Sequence, residues 1–352
     1  MQDELRIPTK RNAAIDIARG IAIILVFLGH ISSTPTVMRL WLQSFHMPLF
    51  FVCSGLVFST KKTPTFKKFF IAQVRALVIP YFTFGISLYF LMCLAEAFGA
   101  VINGEPITFS WAFKDVIISL LLGYRQHERY FSLWFLTTMF IGKILFYFIT
   151  KYVVKDHRWG YLGISVVFTA IQWLVFRHSF GFYWSMDLAP ACVAFLSAGY
   201  FLKLSPKQEK YYQYRLLALI MPASIVLAIL NFQIEGKAAG LYSCYMGNPV
   251  WYYLGAVVGS WMVLIIAHYI SNNKALEYLG KNSLTLYAYQ NSFSIVVSNM
   301  VIRRLAAGHK LLQDPTAQWL FVVFCSIAIG CVLVEIVNRF FPWFKGKSLK
   351  KN

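Results

Sequence analysis

The chain has 352 residues, 58% of them hydrophobic and only 13% charged, with a mean hydropathy of +0.59. That composition weighs against a soluble fold, which needs a charged surface, and fits a helix bundle that turns apolar side chains to lipid and satisfies its backbone internally. The formal net charge of +19 would suit nucleic acid, but the basic residues lie between apolar runs instead of forming a stripe interleaved with aromatics. Nucleic acid is therefore not an expected partner, and the lipid bilayer is.

In chain order, Lys10 and Arg11 precede an apolar stretch in the manner of a secretory signal, but Asp16 and Arg19 interrupt it and no small-residue cleavage site follows. It reads as a retained first helix. A hydrocarbon core about 30 Å thick takes about 18 to 22 apolar residues per crossing. Ten runs qualify, roughly at 13–31, 41–59, 77–97, 132–150, 160–176, 186–202, 216–233, 250–270, 283–302 and 317–337. The expected architecture is thus an all-α integral membrane bundle of about ten transmembrane helices. The stretch from Trp111 to Gly123 is too short to span and carries Lys114 and Asp115, so it reads as interfacial or re-entrant.

With the N-terminus inside, the inner loops collect 22 lysines and arginines against nine outside, which predicts both termini cytoplasmic. A further span within 111–123 would invert everything downstream. The loops are too short for a soluble domain, so residues 1–352 are expected to form a single transmembrane domain with short basic tails at 1–12 and 343–352. The six cysteines form no close CxxC pair, so neither a disulfide framework nor a metal site is expected.

The first helix carries Asp16, Arg19 and His30. Eleven residues separate Arg19 from His30, three helical turns plus about 20°, so both leave one face about 16 Å apart along the axis, and Asp16 shares it at i−3. Ionisable groups inside a span face a partner, a cavity or a substrate path. Here the plainer alternative keeps equal weight: Arg19 snorkels and pairs with Asp16, and His30 caps the outer helix end. The second span tips the balance. It reads Phe45-His46-Met47-Pro48-Leu49-Phe50-Phe51-Val52-Cys53-Ser54-Gly55-Leu56, where Pro48 is expected to break the helix, and irregular backbone at depth is tolerated mainly around a cavity. His46 and His30 flank one short loop, and two imidazoles near one depth suggest a site.

Arg19, ten intervening residues and His30, followed by the FHMPLFF and SGL run, resemble the membrane-bound acyltransferase family 3, in particular its sugar O-acetyltransferase branch related to fucose 4-O-acetylases. Later segments are similar to it too. Arg75 to Tyr81 resembles the arginine-to-proline segment opening the third helix. Ser132-Leu133-Trp134-Phe135-Leu136 resembles a leucine-tryptophan-phenylalanine-leucine motif, and Leu279 to Leu284 with Tyr287 resembles a late glycine-serine-tyrosine helix. One departure is plain: where many relatives end the tyrosine motif in histidine, this chain has Gln290, which can orient a substrate but cannot exchange a proton near neutrality.

Moving an acetyl group from a thioester to a sugar hydroxyl requires a base, and His30 is the expected one, acting directly because no cysteine or serine sits in an activated arrangement. The resemblance implies acetyl-CoA as donor substrate with no bound cofactor, a glycan or its lipid-linked precursor as acceptor, and a multi-pass location in the inner (plasma) membrane. Arg19, Arg75 and the loop from Lys61 to Lys68 would meet the donor's anionic end. Asp16, His46, Ser54, Trp134, Tyr287 and Gln290 complete the expected substrate-binding set. Lys143 is more readily a residue that snorkels or pairs locally, Asp187 and Glu335 interfacial ones, with Asp187 alternatively lining the cavity, Trp134 and Trp184 packing or belt aromatics, and Gly255 with Gly259 a helix-packing pair. Two rivals remain: a transporter or flippase using Arg19, Asp16 and His30 as a relay, and a silent acyl-CoA-binding protein of the same fold.

Overall fold

The computed structural model describes residues 9–346 except 62, 64, 105, 111, 124–132, 179–181, 207, 271 and 309–313. Trp111, Ser132 and the basic residues Arg6, Lys62, Arg125, Arg129, Lys207, Lys310, Lys347, Lys350 and Lys351, all used in the sequence reading, lie outside the described residues. The described chain is helical, with one isolated bridge between Gly240 and Tyr245.

The helices are α1 (Thr9–His30), α2 (Thr36–Val57), α3 (Phe66–Gln73), α4 (Ile79–Asn103), α5 (Phe113–Leu122), α6 (Trp134–Phe148), α7 (Arg158–Arg177) and α8 (Ala189–Lys203). They continue with α9 (Leu217–Glu235), α10 (Pro249–Tyr269), α11 (Lys274–Lys281), α12 (Ser283–Tyr289), α13 (Ile295–Gly308) and α14 (Pro315–Phe340). Local chemistry sets several ends. Asn248, Asn273 and Asp314 cap α10, α11 and α14 by accepting backbone N–H bonds, and left-handed Gly104, Gly123 and Gly236 close α4, α5 and α9.

Among the described residues nine helical segments are long and apolar enough to cross a membrane. They match nine of the ten expected runs. The tenth, 283–302, is helical too, but in pieces: α12, a π turn over Gln290–Ser294, and α13. Its polar residues Gln290, Asn291, Ser292, Ser294 and Ser298 dilute its apolar character. As its length required, α5 is a ten-residue helix, too short to span, packed on α4 where Tyr81 Oη donates to the Leu120 carbonyl at 2.9 Å.

The expected break at Pro48 does not occur: α2 runs unbroken through it. Burial explains this, because every residue from Ser44 to Leu56 is enclosed and α2 packs on α1, α8, α9 and α10, so neighbours hold the helix where one backbone bond is missing. The irregular backbone lies elsewhere. Trp184 and Ser185 adopt left-handed φ of 55° and 49°, and π turns occur at Val74–Val78, Ile149–Val153 and Gln290–Ser294.

Glycines set the closest crossings. A Cβ on Gly55 would strike the Leu196 carbonyl and one on Gly199 the Val52 carbonyl, so α2 and α8 meet backbone to backbone. Gly20 and Gly280 do the same for α1 and α11, facing the carbonyls of Leu276 and Asp16. The expected packing pair is seen as such: Gly259 faces Phe45 and Gly255 faces Leu227. Past α14, residues 342–345 form a short turn that docks on the bundle, with Thr83 Oγ1 donating to the Phe344 carbonyl at 3.1 Å.

Candidate active site

Because α1 is unbroken from Thr9 to His30, the eleven-residue spacing places Arg19 and His30 on one face about 16 Å apart. His30 ends that helix, and its side chain is exposed and makes no hydrogen bond among the described residues. His46, on α2, is 5% exposed and stands edge-on to His30 with ring centroids 6.2 Å apart. Gly29 leaves room for this approach: a Cβ there would lie 3.7 Å from His46 Cε1.

The His46 Nδ1 lies 2.6 Å from the Leu42 carbonyl oxygen. A carbonyl only accepts, so Nδ1 carries the proton and the neutral ring presents a bare Nε2 lone pair. The structure therefore brings the two expected imidazoles together, one reachable and the other enclosed with its tautomer fixed.

At the opposite end of the same face, Arg19 Nη1 lies 3.8 Å from Asp16 Oδ1, with side chains 27% and 22% exposed. Lys281 and Glu277 of α11, themselves paired at 3.1 Å, complete a charged group around Asp16. Arg19 also lies within electrostatic range of Lys143 in α6 and of buried Cys53 in α2. Lys143 makes no hydrogen bond or ion pair among the described residues, so it is neither paired locally as expected nor separate from Arg19. Three cations, Arg19, Lys143 and Lys281, against two acids, Asp16 and Glu277, make this end of α1 attractive to an anion.

The other expected residues divide. Phe135 stacks on Phe51 of α2 at 5.0 Å and meets Tyr287 of α12 at 5.4 Å, so three segments far apart in sequence converge on one aromatic cluster, with buried Trp134 edge-on to Phe135. Ser54 is buried on α2 beside the Gly55 crossing. Gln290 is fully enclosed at the start of the third π turn. Arg75 is exposed on the first π turn, where its carbonyl packs against Gly346, and no described contact joins it to Arg19 or to the histidines.

Trp184 shows the packing role, one of its two expected readings: it sits in a left-handed turn, donates from Nε1 to the Leu121 carbonyl at 2.7 Å and packs against Tyr81 and Phe140. Asp187 is buried within the protein, with the Cys244 thiol 3.7 Å from its Oδ2. Sequence reasoning did not anticipate that Lys143 comes within electrostatic range of Arg19, which depends on α6 packing on α8, α8 on α2 and α2 on α1, nor the pairing of Tyr289 with Ser87 at 2.7 Å. The run Gln290, Asn291, Ser292 inside an otherwise apolar stretch was the visible signal for a polar interior near α12.

A family model described as an acyltransferase domain matches residues 12–335. Neither a curated protein nor a solved structure matches the chain.

Proposed function

The chain belongs to the acyltransferase-3 family and is a multi-pass membrane acyltransferase; from that premise we propose that it moves an acetyl group from acetyl-CoA to a hydroxyl of a cell-surface polysaccharide or its lipid-linked precursor. The observation that carries this reading is the reachable His30 imidazole at one end of a helical face whose other end is cationic. A CoA thioester has matching ends, anionic phosphates and a reactive carbonyl, joined by an extended arm.

In this reading Arg19, with Lys143, holds the anionic part. His30 takes the proton of the acceptor hydroxyl as its oxygen bonds to the thioester carbonyl carbon. The tetrahedral intermediate collapses with cleavage of the carbon–sulfur bond, and the His30 imidazolium returns the proton to the departing thiolate, giving the acetyl ester and CoA thiol. His46, beside it, positions the His30 ring, and its enclosure keeps bulk water from that side. Both termini lie on the cytoplasmic side of an inner (plasma) membrane, and the donor enters from there.

Glycan mass spectrometry on cells carrying wild type, a deletion, or His30→Ala tests the reading. Acetylation present with wild type and absent from the other two is expected. Undiminished acetylation with His30→Ala would remove His30 as the base.

A further inference from the structure

Gln290 is 0% exposed, and neither its amide oxygen nor its amide nitrogen has a hydrogen-bond partner among the described residues. Thr285 Oγ1 and Ser294 Oγ, also fully enclosed, share that condition. Unpaired polar groups in a protein interior cost free energy that an apolar side chain of the same shape would not. Three of them within ten residues, bracketing a π turn of the kind that often marks a functional site, call for something that pairs with them. Beyond Ser294 the polar line continues in paired form: Ser298 Oγ donates to the Ser294 carbonyl at 2.8 Å, and Ser326 Oγ lies 3.0 Å from Ser298 Oγ.

The seam is aligned with the site. Gly280 rests on the Asp16 carbonyl and Gly20 on that of Leu276, which fixes α11 against the Arg19 end of α1. Further along, the space above Gly330 of α14 is shared by Leu286, Phe27 and Ser294. α12 and its π turn both pack on α1, and Gln290 and Ser294 follow Leu286 at four-residue intervals, so the Ser294 end of the seam reaches Phe27, one turn short of His30.

A ligand that suits the seam must be narrow, extended and supplied with both donors and acceptors at intervals. We propose that Thr285, Gln290 and Ser294 form a track for the amide-bearing pantetheine arm of the donor, with the Gln290 amide exchanging two hydrogen bonds with an arm amide. This inference rests on the reading of the donor as a CoA thioester. The chemistry of the track fits the two amides of that arm better than it fits a broad sugar ring.

The test uses the full chain purified in detergent, with Gln290→Leu and Ser294→Ala, three probes and two readouts. The probes are acetyl-CoA, S-acetylpantetheine, which has the arm without the nucleotide, and adenosine 3′,5′-bisphosphate, which has the nucleotide end without the arm. Binding is measured by calorimetry and unliganded stability by thermal unfolding. Gln290→Leu should unfold at or above the wild-type temperature, because it removes unpaired buried groups. It should bind acetyl-CoA and S-acetylpantetheine at least about tenfold more weakly, and the bisphosphate as wild type does. Ser294→Ala should show the same pattern in weaker form. Unchanged affinity for S-acetylpantetheine in Gln290→Leu overturns the track, as does equal weakening toward the bisphosphate, which would mark general damage. Retained donor affinity with lost transfer assigns the seam to the acceptor instead and likewise overturns it. If wild type binds none of the three probes, the acyl-CoA reading itself fails, an outcome distinct from failure of the track alone.

Discussion

Gly259→Ala is a structural test of how α10 supports the histidine-bearing segment of α2. A Cβ at Gly259 would lie 2.5 Å from Phe45 Cγ, 2.7 Å from Cδ1 and 2.9 Å from Cβ. Carbon atoms prefer about 3.5–4.0 Å, so the shortfall is about 1 Å. Rotating the ring does not relieve it, because one of the atoms met is Phe45 Cβ itself, and Phe45 is fully buried. The α2 and α10 backbones must separate, and the residue after Phe45 on α2 is His46. Overpacking of this kind costs about 1–3 kcal/mol, and displacing a positioning group by about 1 Å lowers turnover by up to about 100-fold. Thermal unfolding in detergent and acetyl transfer by the purified protein read the two effects separately. Gly255→Ala is the internal control: its Cβ would meet only Leu227 Cβ at 3.4 Å, so it should stay within about 0.5 kcal/mol of wild type and keep its activity. Wild-type stability and turnover in Gly259→Ala, or equal damage from Gly255→Ala, would refute the reasoning.

Four further outcomes are expected. His30→Ala should lower turnover by about 10²–10⁴, equivalent to about 2.7–5.4 kcal/mol of barrier, while leaving the unfolding temperature in place because that ring is exposed and unbonded; a collapse of stability instead would mark the residue as structural. Arg19→Ala and Lys143→Met should each raise the Michaelis constant for acetyl-CoA, and steady-state kinetics showing neither constant altered in either variant would separate this end of α1 from the donor. His46→Ala should reduce turnover by loosening the His30 ring, and an unchanged rate would leave His46 with packing alone. Reporters fused to both ends should be accessible only from the cytoplasmic side of the membrane, and an external signal from either one contradicts the charge-based orientation.

Much of the architecture follows from local properties that a sequence displays directly. Long apolar runs had to become membrane-length helices because the backbone has no other partner in lipid, and among the described residues nine of them did. The placement of Asp16, Arg19 and His30 on one face follows from helical period alone. That His30 and His46 flank one short loop was legible too, but His46 lies ten residues inside α2, so it is the packing of α1 on α2, with Gly29 against His46, that brings the rings together.

Tertiary packing decided the rest. Pro48 signals a break in isolation, yet α2 continues through it because four neighbouring helices enclose that stretch, a circumstance local propensity does not encode. Which nitrogen of His46 holds the proton depends on where the Leu42 carbonyl points, and the electrostatic reach between Lys143 and Arg19 on how α6, α8, α2 and α1 pack in succession. The same applies to Gln290. Its identity marks a departure within a motif, but only the closure of α1, α4, α12, α13 and α14 around its turn leaves its amide enclosed and without a partner among the described residues. Helical period and apolarity act over neighbouring residues, whereas burial and partnership are properties of atoms brought together from distant parts of the chain.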